Sequence, residues 1–220
     1  MPATSPRFDR SALRVVLVTD GRADPARVEA IVLAAIAGGV RAVQIRESRW
    51  PARMVLATCE RLLPALAAVR GLLLVNDRVD VVAAGAAHGA QVGQRSLPPD
   101  LARRVLGAEP VLGYSAHDGA ELDLASAAGC DFALLSPVWP TASKPGAPHL
   151  GAARAAQLTA RARLPVVWLG GIDVERATSL AQVPPAGRPI GIAVRGAIGD
   201  AADPQAAARD LVAAVATLLD

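Results

Sequence analysis

Eight times along the chain, a short β-branched or leucine-rich run leads through a loop into an Ala/Leu-rich amphipathic stretch. The runs lie at 14–19 (RVVLVT), 40–45 (VRAVQI), 72–75 (LLLV), 90–92 (AQV), 111–114 (VLGY), 132–135 (FALL), 166–169 (VVWL) and 189–194 (PIGIAV). Several are apolar at successive positions, the pattern of strands covered on both faces in a parallel sheet. Eight such strands alternating with about eight helices in 220 residues leave only short connections. That predicts a single compact (β/α)8 TIM barrel over 14–220, with a doubly wound open sheet as the alternative.

Helix ends are legible as well. Asp24-Pro25 reads as an N-cap with a first-turn proline, and Gly38-Gly39 as the stop of that helix. Asp118 with Glu121 has capping-box spacing, and Asp203-Pro204 opens the last helix. Pro64 falls inside the second helical stretch, 51–69, so a kink or break is expected there. Residues 1–13 read as a flexible N-terminal arm.

Composition excludes whole classes. With 52% hydrophobic residues and 20% charged, the chain can bury a large core, which rules out disorder. No apolar stretch approaches the roughly 20 residues that span a bilayer, and the N-terminus lacks an apolar leader core, so no membrane partner and a cytoplasmic location are expected. Cys59 and Cys130 lie far apart without metal-site spacing and read as two reduced thiols. The formal charge of +3 invites a nucleic-acid reading. Basic residues are spread singly apart from Arg103-Arg104, and aromatic content is only 3%, so no nucleic-acid partner is expected. Of the 23 Lys and Arg residues only Lys144 is lysine, a point charge suited to phosphate if it is not an incidental surface residue.

In a parallel barrel the active site lies at the carboxyl ends of the strands. Gln44, Arg46 and Glu47 follow the second run; Asn76, Asp77 and Arg78 the third; Gly93 and Gln94 the fourth; Ser115 and His117 the fifth. Thr141, Ser143 and Lys144 lie in the long loop after the sixth run. Gly170 and Gly171 follow the seventh, and Val194 and Arg195 close the eighth, the two loops where this fold usually binds phosphate. Asp77 has three readings: a Mg²⁺ ligand, an ion-pair partner of Arg46 or Arg78, or a helix cap. His117 is either a packed histidine or a general acid/base. His88 lies at the wrong end of its strand for catalysis, and His149 has no comparable support. Trp50 and Trp139 fall in strand-end loops, where one can cover an aromatic ring or simply pack.

The ordered set VQIRE (43–47), LLVNDRVDV (73–81), GAQVGQ (89–94), GYSAH (113–117), SPVWPTASKPG (136–146), GGI (170–172) and GIAVRGAI (191–198) resembles the thiamine phosphate synthase and TenI family. The synthases join hydroxymethylpyrimidine pyrophosphate to thiazole phosphate with Mg²⁺; TenI relatives include metal-independent thiazole tautomerases. The resemblance implies that Gln44, Arg46, Asn76 and Asp77 serve the pyrimidine and pyrophosphate. It places Ser115, Thr141, Ser143 and Lys144 on the phosphate oxygens. Gly171, Val194 and the backbone around Arg195 would take the thiazole phosphate, and the family's tendency to associate implies a homo-oligomer.

Three departures stand out. Ser48 replaces a lysine of the Q-x-R-E-K pattern, Ser96 replaces the second carboxylate of G-Q-x-D, and Arg195 replaces a serine. The loss of a cation and a carboxylate from one subsite favours a tautomerase needing no cofactor, with thiazole phosphate as ligand and His117 as acid/base. The alternatives are a Mg²⁺-dependent synthase, with Asp77 as metal ligand, and a non-catalytic phosphate-ligand sensor.

Overall fold

The computed structural model describes residues 8–21, 24–141, 146 and 148–216. Eight strands, β1 (Val15–Val18), β2 (Ala42–Ile45), β3 (Leu72–Asn76), β4 (Gly89–Val92), β5 (Val111–Ala116), β6 (Phe132–Leu135), β7 (Val166–Leu169) and β8 (Gly191–Val194), pair in parallel in chain order. β8 pairs back with β1, Leu17 facing Val194, and closes the barrel. Apolar residues at successive strand positions have two different destinations. Val16, Leu74, Phe132, Leu134 and Val167 fill the barrel's interior. Leu17, Val43, Leu73, Leu112 and Trp168 face the helices outside. Each strand is therefore buried on both faces, the basis of the open-sheet and barrel readings alike; closure decides for the barrel.

Around it run α1 (Pro25–Ala37), α2 (Ala52–Ala68), α3 (Val79–Ala83), α4 (Pro99–Leu106), α5 (Gly119–Ala127), α6 (Ala152–Arg161), α7 (Val174–Ser179), α8 (Gly196–Gly199) and α9 (Pro204–Ala216). Asp24 caps α1 by accepting from the Arg27 N–H at 3.0 Å, and Asp203 accepts from Ala206 N–H at 2.9 Å at the start of α9. α2 runs unbroken through Pro64, because Val55, Cys59 and Leu62 before it and Leu66 after it pack one stripe into the core. The capping box at α5 is half formed. Asp118 accepts from Glu121 N–H at 2.9 Å, but the Glu121 carboxylate turns to His117 instead of back to Asp118.

The expected arm over 1–13 is not what residues 8–13 form. A 3-10 turn, Arg10–Arg14, is capped by Asp9 and seats Leu13 fully buried in the floor of the barrel; Phe8 meets Phe132 edge-on at 6.4 Å. Arg41 fastens this turn, donating to Asp9 and Ser11 at 3.1 Å. The lower rim is also held by Arg103, which donates to Asp131 at 2.7 Å and to the carbonyls of Gly107, Pro110 and Gly129. His88, at the start of β4, accepts at Nδ1 from Leu73 N–H at 2.9 Å, and burial lowers its pKa. It is a structural link at the closed end. Cys59 and Cys130 are buried free thiols whose pKa burial pushes up to about 12, so neither supplies a thiolate near neutrality.

Candidate active site at the mouth of the barrel

Toward the carboxyl ends of the strands the interior changes from apolar to polar. A cavity of about 660 Å³ opens there. Its wall includes Gln44, Arg46, Asn76, Asp77, Ser115, His117, Thr141, Gly170, Gly171, Val194 and Arg195. Every described residue chosen from the sequence as a candidate therefore meets in one place. Ser143 and Lys144 lie outside the described residues. Gln94, Arg95, Ser96, Ser136 and Asp200 add to the charged and polar part of the wall, which carries three arginines and two aspartates among the described residues.

One side is a chain of amides and oxygens. Gln44, buried at the end of β2, donates from Nε2 to Asn76 Oδ1 at 2.9 Å. Asn76 donates to Asp77 Oδ2 at 2.7 Å, and Ser96 Oγ donates to the other Asp77 oxygen. The Ser96 hydroxyl in turn accepts from Gly93 N–H at 2.7 Å. Asp77 reaches this position with φ at +63°, a left-handed conformation that aspartate tolerates better than most residues. Two of its three readings fail on geometry. Arg78 pairs with Asp80 and itself occupies the cap position of α3, while no Asp77–Arg46 ion pair forms among the described residues. The third fits: a carboxylate beside a hydroxyl is a hard-oxygen pair of the kind that holds Mg²⁺ when phosphates and water complete the shell.

The next sector belongs to β4 and β5. Glu121, on α5, accepts from the His117 main-chain N–H at 2.6 Å and lies 2.9 Å from His117 Nδ1. A carboxylate accepts, so Nδ1 is the donor in this contact. Gln94 donates to the other Glu121 oxygen at 2.7 Å and fixes it. Glu121 was assigned only a capping role from spacing. The signal that finds it is its register with His117, one helical turn away.

The opposite side is built by glycines. Gly170 and Gly171 turn with φ at +109° and +65°. The turn is fastened to the loop after β6: Val138 N–H donates to Leu169 O at 2.9 Å and Trp139 N–H to Gly170 O at 3.1 Å. Arg176 donates to Gly171 O while its guanidinium lies 5.9 Å from the Trp139 ring centre. Trp139 also packs edge-on against Trp168 at 6.0 Å, and neither Trp139 nor Trp50 lines the cavity, so both tryptophans are packing residues. Arg195 and Gly196 border the same side, and Arg195 Nε is buried without a hydrogen bond.

Three buried polar residues, Glu47, Thr19 and Gln91, support the wall from behind. Glu47 is only 5% exposed; its Oε1 accepts from Gly21 N–H at 3.2 Å, and desolvation raises its pKa. Thr19 accepts from Arg46 N–H at 2.8 Å, which ties the loop after β1 to the loop after β2. Gln91, fully buried in β4, donates to Ser115 Oγ at 3.0 Å. It sits in the AQV run, where periodicity shows a strand but not that its polar residue points inward.

Fold and mouth together define a (β/α)8-barrel enzyme whose wall mixes arginines, an aspartate–hydroxyl pair and a glycine turn. The chain belongs to the family described as thiamine monophosphate synthase, which matches residues 15–198. It is 38% identical over 208 residues to thiamine-phosphate synthase of Roseiflexus sp. strain RS-1, covering 94% of this chain and 86% of the relative. Identity to the Thermobifida fusca thiamine-phosphate synthase is 40% over 201 residues, 90% of each chain. Among solved structures, thiamine phosphate pyrophosphorylase from Pyrococcus furiosus superposes with a TM-score of 0.84 at 27% identity, covering 96% of this chain and 99% of that one. These relatives bear the name of the transferase, not of the tautomerase favoured from sequence. Among the described residues no helix is long and apolar enough to cross a membrane.

Proposed function

We propose that the protein is a Mg²⁺-dependent thiamine phosphate synthase, joining hydroxymethylpyrimidine pyrophosphate to thiazole phosphate with release of pyrophosphate. The observation that carries this reading is the contact of Ser96 with Asp77. Position 96 read alone is a lost carboxylate; in the fold it keeps an oxygen donor against the one carboxylate that Mg²⁺ needs. That answers the lost carboxylate, and Arg95 on the same wall offers a cation where Ser48 has replaced one. The names of the relatives support the same transferase reading.

In the reaction the pyrimidine methylene C–O bond breaks, with its electron pair leaving on pyrophosphate, and the thiazole nitrogen supplies the pair for the new C–N bond. Gln44 and Asn76 orient the pyrimidine edge by hydrogen bonds. Arg46 and Arg95, both on the wall, offset charge developing on the leaving group, and the sequence assigns Lys144 the same task. Ser115 and Thr141 donate to phosphate oxygens. Gly170, Gly171, Val194 and Arg195 form the thiazole phosphate side, where the turn offers backbone N–H groups and Arg195 a cation. Asp77 and Ser96 would hold Mg²⁺, which when bound would neutralise charge on the pyrophosphate. His117, held by Glu121, positions the edge of the pyrimidine sector.

The test is thiamine phosphate formation from both substrates, with Mg²⁺ and with EDTA. Magnesium-dependent product, and at least a hundredfold loss in Asp77→Ala, are expected, on the scale of losing an electrostatic transition-state contact. Absence of product from protein that binds thiazole phosphate, or equal rates in EDTA, overturns the proposal.

A further inference from the structure

Gln91 is an expensive residue for its place. It is fully buried in the middle of a strand, and among the described residues its Oε1 has no hydrogen-bond partner and it is not one of those that line the cavity. Burying an amide that is only partly satisfied is destabilising. A neighbour accommodates it: a Cβ at Gly113 would collide with Gln91 Oε1 and with the Phe132 ring, so the barrel interior is cut back to make room for the carboxamide. The orientation of that carboxamide follows from the same surroundings. With Oε1 against Gly113 and Phe132 one acceptor is unmet, whereas the flipped amide would strand two N–H groups there.

What the amide achieves is visible at its other end. Nε2 donates to Ser115 Oγ at 3.0 Å. A serine hydroxyl has one proton and two lone pairs, and here a lone pair is already used by Gln91. The Ser115 proton is thereby directed away from β4 toward the cavity that Ser115 lines. We infer that Gln91 is a positioning residue that sets Ser115 as a hydrogen-bond donor toward an anionic phosphate oxygen of the ligand. The inference rests on the anion-binding reading of the cavity given above, and deepens it by assigning the polarity of one contact.

Calorimetric titration with inorganic pyrophosphate at fixed Mg²⁺ tests it independently of turnover. Ser115→Ala is expected to weaken binding about tenfold, the scale of a hydrogen bond to a charged group. Gln91→Met removes the orienting donor and is expected to cost about threefold at every pH. Gln91→Glu reverses the polarity, since a carboxylate accepts the Ser115 proton. Its loss should exceed tenfold at pH 8 and shrink below that of Gln91→Met, toward the parent, near pH 6, where the buried acid is protonated and can donate again, each value taken as a ratio to the parent protein. In a Ser115→Ala background Gln91→Met should cost nothing further. Circular dichroism monitors folding; if Gln91→Glu does not fold, the Met and Ala cycle decides alone. Binding within twofold of the parent in Gln91→Met, or the same loss with and without Ser115, overturns the positioning role while leaving the anion site standing. No pyrophosphate binding by the parent protein overturns both.

Discussion

Replacing Gly171 by alanine asks how firmly the turn after β7 is held. At φ +65° an L-residue pays about 1–2 kcal/mol for the left-handed conformation. A stiffer unfolded chain returns about 0.4–1 kcal/mol of this. Gly129 calibrates that balance: it has φ +73° and nothing within 4 Å of an added Cβ, so Gly129→Ala should cost about 0.5–1 kcal/mol. At Gly171 the Cβ would also collide with the Pro140 carbonyl oxygen and lie 3.0 Å from Trp139 Cβ and 3.1 Å from Arg176 Nη1. The carbonyl is backbone and cannot rotate aside. Relief requires the start of the loop after β6 to back away, which strains the Trp139–Gly170 hydrogen bond of 3.1 Å. Overpacking adds about 1–3 kcal/mol and the weakened hydrogen bond about 1. Gly171→Ala should therefore lose about 2.5–5 kcal/mol, within the roughly 5–15 kcal/mol of a typical domain. Urea titrations of the parent and both variants, followed by circular dichroism, measure the difference. The KM for thiazole phosphate should rise at least tenfold in Gly171→Ala and stay unchanged in Gly129→Ala. Two variants within about 0.5 kcal/mol of each other, the ordinary scatter of unstrained substitutions, would refute the steric argument.

Ser96→Asp places a second carboxylate against Asp77: the Mg²⁺ concentration for half-maximal activity should fall about tenfold, and the thermal midpoint should drop in EDTA and recover with Mg²⁺. An unchanged Mg²⁺ requirement would separate position 96 from the metal. Below pH 6.5 the unfolded state takes up a proton that buried His88 resists, so stability should fall as pH drops from about 6.5 to the lowered native pKa and level off beneath it. His88→Gln should remove that slope, as read from urea midpoints between pH 5 and 7.

How much of this was legible in sequence depended on the range of the signal. The ends of β6 and β7 matched the apolar runs at 132–135 and 166–169, because a strand buried on both faces announces itself without reference to its neighbours. The wall residues were legible for a related reason: polar side chains just past such strands all face one end of the barrel. Contacts set by register were not. Ser96 reads as a deficit until Asp77 is seen beside it, and Glu121 reads as a cap until His117 is seen one turn away. Residues 8–13 look like an arm because their periodicity is too short to register; what orders them is the barrel floor, supplied by strands far along the chain.

That floor ties the first part of the chain to the last. Gly191, which opens β8, lies so close to the Leu13 carbonyl that no side chain fits between them, and β1 completes its pairing only with β8. Barrel closure is thus a contact between segments nearly the whole chain apart, the kind that slows folding because a long loop must close before it is rewarded. A growing polypeptide can assemble β1 to β7 while still being made, yet the cavity wall lacks Val194, Arg195 and Gly196 until the last strand docks. The cavity is consequently a property of the closed barrel, and a ligand bound there would act as a latch on the final seam.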